Sequence, residues 1–164
     1  MAVQKILHYP HPILKGRSET VREINSQTIQ IIKNLLDTLG ASPGVAIAAP
    51  QIGEAHRIIV CDVSRKVKEK HHGRLVLINP VIRRGEGKKL LREGCLSVPD
   101  YTGNTNRFER VWVEGLDAEG RPLSLVSEGF EALAIQHEID HLDGILFLDR
   151  IASLNTDLFR RKTH

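Results

Sequence analysis

The hexapeptide QHEIDH at residues 136–141 carries the side chains best suited to chemistry in this chain. His137 and His141 are four residues apart, so on a helix their imidazoles lie on one face and can share one cation. Glu138 would project beside such a cation, which suits a base acting on metal-bound water. The alternative is an ordinary charged helix whose histidines are satisfied by hydrogen bonds.

The sequence around the hexapeptide favours the metal site. The segment FEALAIQHEIDHL has apolar residues on more than one side, which is typical of a helix buried in the middle of a domain. Two histidines, Glu138 and Asp140 would be costly to bury without partners, and a bound cation removes that cost. Metal binding is therefore the favoured hypothesis, with Asp140 in a supporting or capping role.

A catalytic metal site needs a third protein ligand and an open position. Downstream the chain offers only Asp149, Asp157 and His164, the first in a predicted apolar strand and the others near the terminus. Upstream, Cys95 follows Gly94, which lets the backbone approach closely, and precedes a segment that ends the local strand. A Cys95 thiolate and two imidazoles would form a tetrahedral site with one position left for water.

The elements that must position these residues are visible in the apolar pattern. Helical spacing predicts an amphipathic helix over residues 25–39, capped by Asn25 or Ser26 and ended by Gly40. A second helix is predicted over residues 130–142, where it carries the HExxH pattern.

Strands are predicted from β-branched, apolar runs. RIIVCDV at 57–63 and LVLINPVI at 75–82 are two of them, and the Asn79–Pro80 pair predicts an edge or a bend in the second. ERVWVEGL and RPLSLV, within residues 109–126, predict a hairpin, and ILFLDRI at 145–151 a short strand or extended segment. The expected fold class is α+β, with mostly antiparallel strands packed around one central buried helix.

Length and composition predict a single catalytic domain over residues 1–164, with residues 152–164 as a short basic tail. The start of the chain lacks a secretory signal, and no run approaches the ~20 apolar residues of a membrane span. We therefore expect a cytoplasmic protein, or an organellar one after removal of a transit peptide, without membrane association. Two cysteines exclude a disulfide framework, and Cys61 is interpreted as a small apolar strand residue.

The formal charge of +3 and the sequence pI of about 9.0 leave a weak attraction to anionic surfaces. Basic and aromatic residues do not interleave, so we expect no dedicated nucleic-acid site. The basic tail ASLNTDLFRRKTH has three interpretations: a short helix, a ribosome-facing basic end, or disorder.

Three motifs in order resemble the signature motifs of the peptide deformylases: GVAIAAPQIG at 44–53, EGCLSVP at 93–99 and QHEIDHLDG at 136–144. Members of that family remove the N-formyl group from the N-terminal methionine of newly synthesised bacterial and organellar proteins. Similar segments extend the resemblance over nearly the whole chain. It implies a metal-dependent hydrolase, formylated nascent peptides as partners, and a monomer.

The resemblance also implies how the reaction proceeds. Cys95, His137 and His141 would bind one divalent metal, physiologically Fe(II), with zinc, nickel or cobalt as alternatives. The metal-bound hydroxide would attack the formyl carbon.

Further roles follow from the same resemblance. Glu138 would take the proton of the metal-bound water and return it to the leaving amine. The side-chain amide of Gln51 and the backbone N–H of Leu96 would stabilise the developing oxyanion.

The substrate would lie along the first motif, with its methionine side chain in an apolar pocket. The implied substrate-binding residues are Gly44, Val45, Ala46, Glu93, Gly94, Phe130, Leu133 and Ala134. Core packing is the alternative role for Phe130, Leu133 and Ala134. Ala46 stands where the family usually has glycine, and its methyl would narrow the approach to the substrate or shift the loop. Glu93 and Arg107 would form a supporting ion pair behind the cysteine loop.

Two other functions stay open from the sequence. A metallopeptidase that cuts internal peptide bonds would share the HExxH helix but would not need Cys95 as a ligand. A non-catalytic metal-binding relative would have a closed site of four protein ligands, or would have lost Glu138 or Gln51.

Overall fold

The computed structural model describes residues 3–161. Its main feature is a six-stranded antiparallel sheet in the order β1-β2-β3-β4-β5, with β6 paired to β4. The strands are β1 Ala46–Ala48, β2 Ile58–Cys61, β3 Leu75–Cys95, β4 Val98–Leu116, β5 Pro122–Glu128 and β6 Leu158–Arg160. The helices are α1 Ser26–Gly40, α2 Gly129–Leu142 and α3 Leu154–Asp157. The predicted α+β class is confirmed.

The predicted N-terminal helix is α1. The Asn25 side chain accepts a hydrogen bond from the backbone N–H of Thr28 at 3.0 Å, so the cap satisfies a donor that the first turn leaves free. The helix includes Gly40, one residue beyond the predicted end, and Ala41 follows as its C-terminal cap. One apolar face packs on the sheet in a cluster with Ile31, Leu35, Leu39, Ile47, Ile58 and Val60.

The strand predicted at 75–82 is the start of β3, which continues to Cys95. A register shift between Ile78 and Val81, with Asn79 at φ 52°, forms a bulge that accommodates Pro80. The predicted bend is therefore correct. The predicted edge is correct in part, because β2 pairs only with residues 75–78 and, among the described residues, β3 pairs with β4 alone from Val81 onward.

The predicted strand at 57–63 is confirmed as β2, although a 3₁₀ turn at Val63–Arg65 shortens it. The predicted hairpin is confirmed as β4 and β5, which pair from Arg110 opposite Glu128 to Leu116 opposite Pro122.

The strand predicted at 145–151 is wrong. This stretch contains a 3₁₀ helix, Phe147–Arg150. The Asp149 carboxylate accepts a hydrogen bond from the backbone N–H of Leu146 at 2.9 Å, which closes a turn, and it also binds Lys15 at 2.7 Å. Local side-chain bonding of this kind competes with extended structure.

The basic tail is ordered over its described part. It forms α3 and then β6, which pairs with β4 at Tyr101, Thr102 and Gly103. The short-helix interpretation holds for four residues, and disorder is contradicted for residues 154–160. Residues 162–164 lie outside the described part of the chain, and a ribosome-facing role stays a prediction.

The helix predicted at 130–142 is α2, and every residue from Glu131 to Leu142 is buried. Its apolar side chains, Ala132, Ile135, Ile139 and Leu142, belong to a core cluster that also includes residues of β1, β2, β3 and β4. Among the described residues, no helix is long and apolar enough to cross a membrane.

Candidate active site

Three potential metal ligands converge where the end of β3 meets α2. The Cys95 Sγ atom lies 3.2 Å from His141 Nε2, and one ligand atom from each of Cys95, His137 and His141 lies within 4.8 Å of the others. All three residues are buried. The histidine ring centroids are 5.0 Å apart, as expected for neighbours one turn apart on a helix face.

A buried ion-pair network fixes the orientation of His137. Its Nδ1–H donates to Glu93 Oε1 at 2.7 Å, which directs Nε2 toward the other ligands. The Glu93 carboxylate also accepts two hydrogen bonds from Arg107, at 2.9 and 2.8 Å, and one from Thr105. The predicted Glu93–Arg107 ion pair therefore exists, and both of its side chains are buried. Arg107 also donates a hydrogen bond to Asp140 at 2.6 Å.

Asp140 is part of this network and not of the ligand cluster. Besides Arg107, it accepts a hydrogen bond from Arg150 Nη2 at 2.7 Å. Arg150 follows α2 in the 3₁₀ helix Phe147–Arg150, and no periodic pattern in the sequence predicts this partnership. The network thus links α2, β4 and the segment after α2 behind the metal ligands.

The charges around the ligands are unusual for a protein interior. Burial alone would raise the pKa of Glu93, but hydrogen bonds from His137 and Arg107 hold it well below its usual value. Burial alone would lower the pKa of His137, but the negative charges of Cys95 and Glu138 and the Glu93 hydrogen bond raise it. Burial lowers the pKa of His141.

These shifts indicate a site that favours a positive charge. Two buried atoms, Glu138 Oε1 and His141 Nδ1, have no hydrogen-bond partner among the described residues. One thiolate and two imidazoles are a donor set that divalent transition metals accept. The residues therefore fit a metal ion.

Glu138 lies beside the ligands, as the hexapeptide spacing predicts. Its Oε2 is 4.0 Å from His137 Nε2, and its side chain is buried. Burial raises the pKa of Glu138 to about 7, although the charge of His137 opposes this. A carboxylate with such a pKa can both accept and donate a proton near neutral pH.

Gln51 approaches the same point from a 3₁₀ turn after β1, Ala49–Ile52. Its Nε2 is 3.8 Å from Cys95 Sγ and 3.1 Å from Ser97 Oγ, while its Oε1 accepts from the backbone N–H of Ala48 at 2.9 Å. Gln51 is buried, so its amide is held in place rather than solvated. Leu96 directly follows the cysteine.

A cleft of about 390 Å³ opens beside the cluster. All eight predicted substrate-binding residues line it, together with Cys95, Leu96, His137 and Glu138. Gln51 and His141 are buried and are not part of this lining. A Cβ at Gly44 would be 2.9 Å from a Leu96 methyl, so glycine permits the close approach of these two walls.

Sequence reasoning missed part of the cleft. Lys66, Arg92 and Arg161 also line it, and none of them was among the predicted site residues. Their charges were visible in the sequence, but their meeting at one cleft depends on the pairing of β3, β4 and β6.

The other ligand candidates lie elsewhere. Asp149 binds Lys15, and Asp157 is 3.4 Å from the Asn104 side-chain nitrogen. Cys61 is buried in the core, where burial raises the pKa of its thiol, and it is not part of the ligand cluster. His164 lies outside the described residues.

Comparison with known proteins decides the family. Residues 3–157 match the sequence profile of polypeptide deformylases. The chain belongs to the polypeptide deformylase family. Relatives of this deformylase family member include the peptide deformylase of Thermodesulfovibrio yellowstonii, 45% identical over 99% of this chain and 97% of that protein. The peptide deformylase of Desulforudis audaxviator is 46% identical over 99% of both chains.

Solved structures give the same answer. A peptide deformylase from Legionella pneumophila superposes with a TM-score of 0.86 at 38% identity, covering 93% of this chain and 88% of that one. The Ehrlichia chaffeensis peptide deformylase, in complex with actinonin, gives a TM-score of 0.88 at 33% identity, covering 94% and 92%. The α+β fold is thus that of the peptide deformylases.

Membership in the deformylase family shows that the protein is a hydrolase. It also supports removal of the N-formyl group from nascent peptides. The family consists of metalloenzymes, and Cys95, His137 and His141 could bind the metal here. The metallopeptidase and non-catalytic alternatives lose their support.

Proposed function

We propose that this deformylase-family hydrolase removes the N-formyl group from the N-terminal methionine of nascent chains, and that one divalent cation held by Cys95, His137 and His141 is required. The observation that supports this most is the convergence of those three ligand atoms beside Glu138 at the end of a partly apolar cleft. Fe(II) is the proposed physiological ion, with zinc, nickel or cobalt as replacements that the same donors accept.

The cation, when bound, would acidify a water molecule and polarise the formyl carbonyl. The chain's own residues would do the rest. Glu138 accepts the proton of the attacking water and returns it to the nitrogen as the C–N bond breaks, which leaves formate and a free amine. Its raised pKa, its burial and its unpartnered Oε1 support this role.

Two neutral donors would stabilise the negative charge on the formyl oxygen. The Gln51 amide nitrogen is within 3.8 Å of the cysteine sulfur, and the Leu96 backbone N–H belongs to the residue after that cysteine. A preorganised donor at a developing oxyanion typically contributes about 3–4 kcal/mol. The Ala48 N–H holds the Gln51 carbonyl oxygen, so the amide nitrogen has a fixed direction.

The substrate main chain would lie along β1, Ala46–Ala48. Within the described residues β1 pairs only with β2, so its other edge is available for an added strand. The methionine side chain would then enter the apolar part of the cleft, near Phe130, Leu133 and Ala134. Val45 and Ala46 would provide the adjoining wall.

Formate release tests the proposal directly. Protein loaded with Fe(II) or Co(II) under anaerobic conditions should release formate from formyl-Met-Ala-Ser. It should leave acetyl-Met-Ala-Ser and an unformylated peptide intact. Cleavage of internal peptide bonds, or a fully loaded protein that releases no formate, would contradict it.

The setting of the activity is also a proposal. We infer a monomer in the cytoplasm, acting on chains as they are made, with the basic tail near the ribosome. Sedimentation with translating ribosomes, compared between the full chain and a chain lacking residues 162–164, tests the last point.

A further inference from the structure

The outer part of the cleft carries three basic side chains that the deformylation chemistry does not use. Lys66, Arg92 and Arg161 line it, and all three are exposed. We call these three residues the cationic rim. The three residues lie in three separate segments of the chain. The fold brings them together, and they do not form a local run of charge.

Lys66 belongs to the wall on the β1 side. The preceding residue, Arg65, donates from Nη1 to the Leu39 and Gly44 carbonyl oxygens and from Nη2 to that of Ser42. These hydrogen bonds hold the Lys66 segment against the loop that precedes β1, along which the substrate main chain would lie.

Arg92 and Arg161 belong to the opposite wall. The Arg161 guanidinium lies over Gly94, where an added Cβ would contact its Nη2. The Arg161 backbone N–H donates to the Asp100 carbonyl oxygen at 2.7 Å. The Arg92 guanidinium stacks 3.6 Å from the ring centroid of Phe159 in β6. Pairing of β6 with β4 therefore brings Phe159 and Arg161 against the end of β3, the strand that carries Arg92 and Cys95.

The cleft has no exposed acidic side chain to balance the rim. The acidic residues in its lining are Glu93, which is bound by Arg107 and His137, and Glu138, which is buried beside the ligands. None of the three rim cations forms an ion pair with a residue in the described range 3–161. The rim charge is therefore uncompensated within this lining. The neighbouring cleft, which also includes Arg92, carries four glutamates, and three of them pair with other cations: Glu86 with Arg84, Glu109 with Lys89 and Glu128 with Arg110.

We propose that the cationic rim selects formylated chains that carry an acidic side chain at the second or third residue. This rests on the proposed deformylase function. An extended peptide advances about 3.3 Å per residue and its side chains alternate between two sides. With the formyl group at the ligand cluster, the second and third side chains face opposite walls, and each wall carries a rim cation.

The test compares matched peptides that differ only in charge. Formyl-Met-Glu-Ser and formyl-Met-Ala-Glu are assayed against formyl-Met-Gln-Ser and formyl-Met-Ala-Gln, by formate release at low salt. An exposed ion pair typically supplies up to about 1 kcal/mol, so kcat/KM should favour at least one glutamate peptide by about two- to fivefold. About 1 M salt should abolish the preference.

Variants assign the preference to the rim. Lys66→Gln, Arg92→Gln and Arg161→Gln should reduce it, and the triple variant should remove it, measured in each variant as the ratio of kcat/KM for a glutamate peptide to kcat/KM for its glutamine twin. Arg161→Lys, which keeps the charge, should keep most of the preference. Arg83→Gln is the matched control, because Arg83 is exposed, pairs with Glu114 and is not part of the lining.

Each outcome decides the proposal. Equal kcat/KM for all glutamate and glutamine twins, or a preference that survives in the triple variant, would overturn it and leave the deformylase function intact. If Arg83→Gln lost the preference to the same extent as the rim variants, the preference would be an effect of net charge, and the proposal would also be overturned. Failure of the metal-loaded protein to release formate from any peptide would instead count against the proposed function itself.

Discussion

Cys95 Sγ and His141 Nε2 lie 3.2 Å apart although 46 residues separate them in the chain. The close approach is built by the end of β3 and the last turn of α2. Cys95→Ala should therefore abolish stable metal retention, with an affinity loss beyond the ~10–100-fold typical of changes to outer partners. Metal-to-protein ratios after desalting measure this. Cys61→Ala is the matched control, because Cys61 lies in the core away from the ligands, and it should keep its metal.

Glu138→Gln should separate metal binding from turnover. The variant keeps the size of the side chain but cannot accept the proton, so kcat for formyl-Met-Ala-Ser should fall by about 10²–10⁴ with normal metal content. The exposed Glu128→Gln is the control and should be unaffected. Full turnover by Glu138→Gln would show that another group carries the proton.

Gln51→Met should lower kcat rather than raise KM. The side chain keeps a similar length but loses the amide donor, and loss of one oxyanion donor typically reduces kcat by about 10²–10³. Ser97→Ala removes the present partner of that amide, at 3.1 Å, and should retain most of the activity. An effect of Gln51→Met on KM alone would assign the residue to substrate binding.

The rate should fall on the acid side of the pH profile. Glu138 acts as a base only when deprotonated, so kcat/KM is lost as the pH drops below its pKa, about 7 in the metal-free chain. A bound cation favours the carboxylate, so the loaded enzyme should show an acid limb with a midpoint below that value. A profile that rises as the pH falls would contradict the base assignment.

Arg107→Met should destabilise the fold strongly. It leaves the buried Glu93 and Asp140 carboxylates without their shared cation, and breaking a buried pair typically costs about 3–5 kcal/mol. Denaturant unfolding of the metal-free protein measures the change in free energy. Arg83→Met, at an exposed ion pair, should change stability by no more than about 0.5 kcal/mol.

Elements with a regular apolar period, or with a capping residue or proline at a boundary, were predictable from the sequence. The apolar rows of α1 and α2, the cap at Asn25 and the bend at Asn79–Pro80 each follow from local rules. The long continuation of β3 through RRGEGKKLLREG was not predictable. Its glycines and charges have low strand propensity, and the segment is held by pairing with β4.

The candidate ligands were predictable because their residue types and spacing limit the chemistry. Two contacts were not predictable, because they depend on how separate segments pack: the bond of Arg150 to Asp140, and the presence of Arg92 and Arg161 in one cleft. The misassigned strand at 145–151 has a local cause. A single side chain, Asp149, closes a turn that the apolar pattern could not reveal.

X-ray absorption of the zinc-loaded protein tests the central claim most directly. If Cys95, His137 and His141 hold the ion, the spectrum should show one sulfur at ~2.3 Å and two imidazole nitrogens at ~2.0–2.1 Å. The sulfur should vanish in Cys95→Ser and persist in Cys61→Ser. A loaded, active wild-type protein whose metal has no sulfur neighbour would contradict the account.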